Sequence, residues 1–356
     1  MNDLEAYMTS STHQKSGSGS ASVERGEVYS DCREGMLESV TTLPLRHGGR
    51  VDTLKIGWRL TGPQSAPIVV VLGGISAHRK VFAARGEDPN SGWWSEVVGV
   101  GLALPAEHYR ILSFDYLGGS GATSGPKDGR DFPSVSTYDQ GELLLRLLNH
   151  LQVDQLDAII GASYGGMVAL AFAEQYAYRV KKLVVISAAD RTSPMSTAWR
   201  SVQRRIVRFG VESGKPERGL ELARALAMST YRSAEEFSSR FAGVAEVRDG
   251  RFVFPVEDYL MARGVDYARR YQPDSFLTLS ESIDLHQINP DQISVPVVAI
   301  AVKQDQLVPA VDIQSMCSRL PNAHVHEISS VFGHDAFLKE HDALKAIFSA
   351  ELLPTA

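Results

Sequence analysis

The sequence predicts an α/β protein: a mostly parallel sheet flanked by helices, with a helical lid inserted late in the chain. Three observations carry this. Continuous apolar runs such as Pro67-Ile68-Val69-Val70-Val71-Leu72 and Lys182-Leu183-Val184-Val185-Ile186-Ser187 suit central strands buried on both faces. Helical patterns separate most of these runs, and strand–helix alternation argues for parallel strands. Between about residues 196 and 288 the strand pattern stops, helical candidates succeed one another, and strands then resume.

The bulk numbers agree with one large globular unit. The chain has 356 residues, 44% hydrophobic and 22% charged, with a net charge of −6. That balance supplies no basic field for nucleic acid or an anionic membrane surface, and no apolar stretch reaches bilayer length. Two cysteines, Cys32 and Cys317, make no disulfide framework and fit a reducing cytoplasm. Residues 1–30 are rich in Ser, Gly and Thr without an apolar segment and read as a disordered tail, not a targeting peptide.

Taken in order, Leu37 to Leu45 and Val51 to Leu60 alternate around His47-Gly48-Gly49 and predict a hairpin. The strand at Pro67–Leu72 ends in Gly73-Gly74. Arg110-Ile111-Leu112-Ser113-Phe114-Asp115 is the next strand, followed by a helix over Tyr138 to Leu151. Leu156 to Ile160 and Lys182 to Ser187 continue the sheet. In the insertion, helices are expected over Ser201–Phe209, Pro216–Ser229, Ala234–Phe241, Val256–Ala268 and Pro273–Ser282. Strands at Val295–Val302 and His324–Ser329 close the sheet. The core therefore spans residues 31–195 and 289–356, with the lid at 196–288.

The chemistry is concentrated in Gly161-Ala162-Ser163-Tyr164-Gly165, a G-x-S-x-G between a buried strand and the small-residue helix Met167-Val168-Ala169-Leu170-Ala171-Phe172-Ala173. This is the context of a nucleophile elbow, in which glycines permit a sharp turn that lifts a serine above the sheet. The competing reading is an ordinary glycine-rich turn. Such a serine needs a base and an orienting acid, and in the α/β-hydrolase fold the chain order is Ser, acid, His. Asp305 closes the strand Pro296–Val302 and is the candidate acid, with Asp190, Asp284 and Asp291 as rivals. His334, in Phe332-Gly333-His334-Asp335-Ala336-Phe337-Leu338 beyond the last strand, is the candidate base. Asp335 is a candidate cap for a helix starting at Ala336. His324 and His326 read as strand residues with satisfied rings. No H-x-x-x-H or cysteine cluster suggests a metal.

An oxyanion would be held by the backbone N–H of Tyr164 and by the loop Gly73-Gly74-Ile75-Ser76, with Gly74 and Ile75 as donors; taken alone, that loop also reads as a plain tight turn. In the insertion, Arg200, Arg204 and Arg208 share one helix face. Arg200 and Arg208 read as solvated.

Several blocks in order resemble the homoserine O-acyltransferase family of the α/β-hydrolase superfamily, from about Val69 to the C-terminus. They are Gly92-Trp93-Trp94, Leu117-Gly118-Gly119, Ser124-Gly125-Pro126, Asp131-Phe132-Pro133, Thr230-Tyr231-Arg232-Ser233 and Gly333-His334-Asp335-Ala336-Phe337-Leu338. The resemblance implies ping-pong acyl transfer from an acyl-CoA to L-homoserine in methionine biosynthesis, through acylated Ser163, with His334 as base. It implies Arg204, in Gln203-Arg204-Arg205, as the substrate-binding arginine, and Asp335 and Tyr231 as substrate contacts. It also implies a homodimer formed through the lid helices, and acyl-CoA as a substrate, with no bound cofactor. The loop Gly73-Gly74-Ile75-Ser76-Ala77-His78 and the segment Gln304-Asp305-Gln306-Leu307-Val308-Pro309 depart from the acetyl-transferring pattern, which inclines the donor toward succinyl-CoA over acetyl-CoA. The alternatives are a serine O-acyltransferase of the same family, an esterase in which water replaces the acceptor, and a non-catalytic binding protein on the same fold. The complete Ser–Asp–His order weighs against the last of these.

Overall fold

Eight strands form one sheet: β1 (Cys32–Ser39), β2 (Leu54–Thr61), β3 (Ile68–Leu72), β4 (Arg110–Phe114), β5 (Ala158–Ala162), β6 (Leu183–Ile186), β7 (Val297–Val302) and β8 (Ala323–Ile328). Their spatial order is β1-β2-β4-β3-β5-β6-β7-β8. Only β2 runs against the others. The computed structural model describes residues 31–39, 41–126 and 132–352, so the tail expected over 1–30 and Asp131 lie outside the described residues.

The central strands are buried along their full length, as their unbroken apolar runs require. Val69, Val70, Ile159, Ile160, Val184, Ala299 and Ile300 have no exposed surface. Helix α1 (Thr137–His150) opens with a capping box between Ser136 and Asp139. Helix α2 (Tyr164–Tyr176) is buried continuously from Tyr164 to Ala173, so it is apolar all round instead of striped. Helices α8 (Ala310–Arg319) and α9 (His341–Glu351) complete the core.

Between β6 and β7 come α3 (Pro194–Glu212), α4 (Pro216–Tyr231), α5 (Ala234–Arg240), α6 (Pro255–Ala268) and α7 (Pro273–Asp284). Four of the five start with proline at the first turn, where its missing N–H costs nothing. Helix α3 begins seven residues before the expected Ser201, because Ser193 caps it by accepting from Ser196 N–H and Pro194 follows. These helices share a small core of their own, from Val207, Leu220, Ala223, Tyr267 and Phe276. The insertion also holds a short hairpin, Glu246–Arg248 with Arg251–Val253, that the sequence pattern did not reveal.

The N-terminal hairpin differs from expectation. The main ladder pairs β1 with β2, Ser39 opposite Leu54 and Cys32 opposite Thr61. The His47-Gly48-Gly49 turn closes only a two-residue pairing of Leu43–Pro44 with Arg50–Val51. The predicted segment Leu37–Leu45 thus spans two separate strands. Among the described residues no helix is long and apolar enough to cross a membrane.

Candidate active site

Ser163, Asp305 and His334 follow the carboxyl ends of β5, β7 and β8, the edge where α/β sheets present their ligands. Ser163 adopts φ 55° and ψ −122°, a region that costs a non-glycine residue roughly 1–3 kcal/mol. The surroundings fix that conformation. Ser163 N–H donates to Ile186 O at 2.8 Å, Gly165 N–H to Gly73 O at 2.9 Å, and Gly166 N–H to Ser163 O at 2.9 Å. The elbow also needs its glycines: a Cβ on Gly161 would lie 2.3 Å from Gly165 O, and one on Gly165 would lie 2.4 Å from Leu72 O.

The three side chains form one hydrogen-bonded line. Asp305 Oδ2 is 2.7 Å from His334 Nδ1, and His334 Nε2 is 2.8 Å from Ser163 Oγ. The other carboxylate oxygen, Oδ1, accepts from Leu307 N–H at 2.8 Å and Val308 N–H at 3.0 Å. An ionised Asp305 can only accept, so Nδ1 carries the ring proton and Nε2 is left free to accept from the serine hydroxyl. Burial alone would lower the His334 pKa; the adjoining Asp305 carboxylate outweighs it and holds His334 above its usual 6.5. The rival acids point elsewhere. Asp190 lies by Arg191 and Arg319, Asp284 binds Arg200 and Arg204, and Asp291 pairs with Arg319.

A cavity of about 220 Å³ opens over Ser163, between the sheet edge and the insertion. Gly74 and Ile75 line it. Their N–H groups and that of Tyr164 have no acceptor among the described residues, while Ala77 N–H closes the turn on Gly74 O at 2.8 Å. The loop is therefore a tight turn and also a source of free donors beside the serine. Tyr116 Oη holds it by donating to Gly73 O at 2.7 Å.

Tyr231 and Asp335 also line the cavity. Asp335 caps no helix: it lies within a 3₁₀ turn, Gly333–Leu338, and accepts from Arg232 Nε at 3.0 Å. Arg204 is off the cavity wall. Its Nη1 donates to Ser280 O, Ser280 Oγ and Asp284 Oδ2, at 3.0, 3.1 and 2.6 Å, which ties α3 to α7. Arg200, expected in solvent, is buried and faces the cavity, because Asp284 on α7 packs against its position on α3.

The arginine that sequence reasoning missed is Arg224 on α4. Its guanidinium lies over the rings of Tyr231 and Tyr267, at 4.9 and 4.7 Å, and its Nη1 donates to Tyr231 Oη at 3.1 Å. Among the described residues no carboxylate pairs with it, so its charge is available to the cavity. A signal was present: position 224 shares a face with Leu220, Ala227 and Met228, an apolar stripe on which a lone arginine needs a reason.

One group among the described residues has metal-ligand character. His324, His326 and Glu351 gather at β8, where both rings bond Glu351 Oε1 as satisfied strand residues. None of the three lines the Ser163 cavity.

A serine on a strained strand-to-helix turn, with a histidine and an acid on later strand ends, defines the α/β-hydrolase class. The family model described as alpha/beta hydrolase fold matches residues 67–340. The chain is 43% identical over 319 residues to a homoserine O-succinyltransferase of Xanthomonas campestris pv. campestris, covering 89% of this chain and 84% of that protein. It is 34% identical to a homoserine O-acetyltransferase of Thermus thermophilus, covering 73% and 72%. Among solved structures, a homoserine O-acetyltransferase from Bacillus anthracis superimposes with a TM-score of 0.82 at 18% identity, covering 91% of this chain and 99% of that one. Esterase E22 superimposes with a TM-score of 0.81 at 19% identity, covering 90% and 100%. The chain belongs to the homoserine O-acyltransferase family.

Proposed function

We propose that this protein is a succinyl-CoA:L-homoserine O-succinyltransferase of methionine biosynthesis, working through a succinylated Ser163. The observation that carries this reading is the Ser163–His334–Asp305 line lying under a cavity that holds an arginine, Arg224, with no carboxylate partner among the described residues. The 43% identity to a named succinyltransferase favours succinyl over acetyl.

In the first half-reaction His334 Nε2 takes the Ser163 proton as Oγ attacks the thioester carbonyl. The C–S bond then breaks, and the CoA sulfur leaves with that proton. In the second, His334 takes the proton of the homoserine hydroxyl as its oxygen attacks the acyl-serine. Collapse forms the new ester and returns the proton to Ser163. The N–H groups of Tyr164, Gly74 and Ile75 would meet the oxyanion in both. Arg224 and Tyr231 suit the homoserine carboxylate, and Asp335 its ammonium. A cavity of about 220 Å³ accommodates an acyl group with an amino acid, so the CoA nucleotide would lie outside it.

The same reading makes the protein a cytoplasmic homodimer joined through the lid helices. Phe209 and Val202 on α3 are 70% and 52% exposed, which is unusual for a helix with no partner. A monomer mass by light scattering overturns the dimer. The activity is tested by CoA-thiol release, crossing succinyl-CoA and acetyl-CoA with homoserine, serine and no acceptor. Fastest release with succinyl-CoA and homoserine, lost in Ser163→Ala, is expected. Equal release without an acceptor would identify an esterase, and a preference for serine would move the acceptor.

A further inference from the structure

We propose that His324, His326 and Glu351 form a binding site for one zinc-like divalent transition-metal ion, and that the ion clips together both ends of the segment that carries His334. The site lies apart from the Ser163 cavity and does not depend on the activity proposed above.

The three residues are brought together by the fold. β8 is an edge strand, and residues two apart on a strand point to the same face. His324 and His326 therefore stand side by side, with ring centroids 4.3 Å apart. Ile328 continues that face into the apolar cluster that holds Ile347 and Phe348 of α9. Glu351 ends α9 against the two rings: His324 Nδ1 lies 2.5 Å and His326 Nε2 2.9 Å from the same oxygen, Oε1. The three candidate ligand atoms all lie within 4.8 Å of one another. The main chain there is fixed independently. Lys182 Nζ donates to Glu351 O at 2.5 Å, and Tyr109 Oη donates to Leu352 O at 2.7 Å.

Two imidazoles and a carboxylate suit zinc, cobalt, nickel or copper, whereas magnesium and calcium prefer oxygen donors alone. At neutral pH the rings are mostly uncharged and the carboxylate is ionised, so the cluster carries one negative charge for a cation to meet. The ring protons are no obstacle. Without an ion each ring donates its N–H to Oε1. His324 Nε2 and His326 Nδ1 have no partner among the described residues, so each ring can carry its proton on that outer nitrogen instead. Nδ1 of His324 and Nε2 of His326 then offer lone pairs to the ion beside Oε1, and water completes the coordination. Bonds of about 2.0–2.1 Å in a tetrahedral arrangement set ligand atoms about 3.3 Å apart. The rings need to draw back from Oε1 by less than about 1 Å, and the His324 side chain, 63% exposed, has room to do so.

The consequence follows from the path of the chain. His326 and Glu351 are 25 residues apart, and the stretch between them contains the Gly333–Leu338 turn with His334. An ion held at both ends closes that stretch into a loop and lowers the entropy of its unfolded forms.

The test is calorimetric titration of the untagged full-length protein with Zn²⁺, beside thermal melts with Zn²⁺ and with Mg²⁺. The wild type should bind one Zn²⁺ per chain more than the double variant His324→Gln/His326→Gln, which also corrects for any ion taken up elsewhere. At a hundredfold excess over Kd, Zn²⁺ should raise the wild-type melting temperature by about 3 to 5 °C. Mg²⁺ should not, and the double variant should not respond to either ion. Glu351→Gln keeps the shape without the charge; it should weaken Zn²⁺ binding at least about tenfold, and it carries the comparison if the double variant is unfolded by circular dichroism. Equal Zn²⁺ stoichiometry in wild type and double variant, unchanged affinity in Glu351→Gln, or an equal response to Mg²⁺ overturns the site. Binding without a rise in melting temperature overturns the clip.

Discussion

Replacing Asp305 with asparagine tests the relay more sharply than removing the side chain. Asp305 Oδ1 accepts two backbone N–H groups, from Leu307 and Val308, at 2.8 and 3.0 Å. An asparagine must leave its carbonyl oxygen there, since turning its NH₂ toward two donors would strand both. The NH₂ then occupies the place of Oδ2, 2.7 Å from His334 Nδ1, and donates to it. Nδ1 becomes the acceptor, the ring proton moves to Nε2, and the nitrogen facing Ser163 Oγ at 2.8 Å can no longer take a proton. Inverting the tautomer in this way costs on the order of 10⁴ in kcat, roughly 5 kcal/mol of transition-state stabilisation. The backbone contacts survive, so the melting temperature should change little. Succinylation of Ser163, followed by intact mass without homoserine, should slow by the same factor as steady-state CoA release. A loss below tenfold, or a greater loss in Asp190→Asn, would refute the assignment of the acid.

His334 is held above its usual pKa by Asp305, and only the neutral ring can accept the serine proton. The acid limb of kcat/KM should therefore lie above pH 6.5, with activity falling as pH drops through it; a limb at or below 6.5 contradicts this coupling. Arg224→Gln should raise homoserine KM by about 10- to 100-fold while leaving acylation by the donor unchanged. Arg204→Gln should leave that KM alone and lower the melting temperature through the lost α3–α7 tie, and the reverse pattern would restore Arg204 as the substrate contact. His286 is buried between Thr137 Oγ1 and Ala189 O, and burial pushes its pKa to about 4. Its native form is neutral, so the stability it contributes is whole above pH 6.5 and is lost as pH falls toward 4, by up to about 3 kcal/mol. Urea melts of wild type and His286→Gln should converge between pH 7 and pH 4.5, and parallel pH dependences would refute this.

The parallel strands and the three relay residues were legible because each depends on short segments. A strand buried on both faces must be an unbroken apolar run, and Ser163, Asp305 and His334 each follow such a run or its loop. The arginines were not legible. Arg200, Arg204 and Arg208 repeat on one stripe of α3, yet the first is buried, the second partly buried and the last exposed. What separates them is Asp284, whose approach is set by the packing of α7 on α3 and by nothing near residue 200 in the chain. The N-terminal hairpin failed for a related reason. Alternation continues through Leu37–Leu45, but Ser39 ends the pairing with one segment and Leu43 begins the pairing with another, and pairing is not a local property.

Hydrolysis and transfer use the same relay, so the difference must come from what stands over it. The end of α4 is bonded to both loops that carry the relay. Ser233 Oγ donates to Val331 O at 2.6 Å, Gln306 Nε2 donates to Arg232 O at 3.2 Å, and Arg232 Nε donates to Asp335 Oδ2 at 3.0 Å. Gly333, at φ +55°, has no room for a Cβ, which would lie 2.8 Å from Tyr231 O. The segment 231–233 therefore sits wedged between the acid loop and the base loop. A cover joined in this way by three hydrogen bonds could lift only by breaking contacts to the loops that carry Asp305 and His334, so lifting it would disturb the relay. Under the proposed function, water would meet the acyl-serine mainly when the base is out of line, whereas an amino acid held at Arg224 and Asp335 would meet it when the base is in line. Coupling the cover to the base favours the acceptor over water without requiring any residue that repels water.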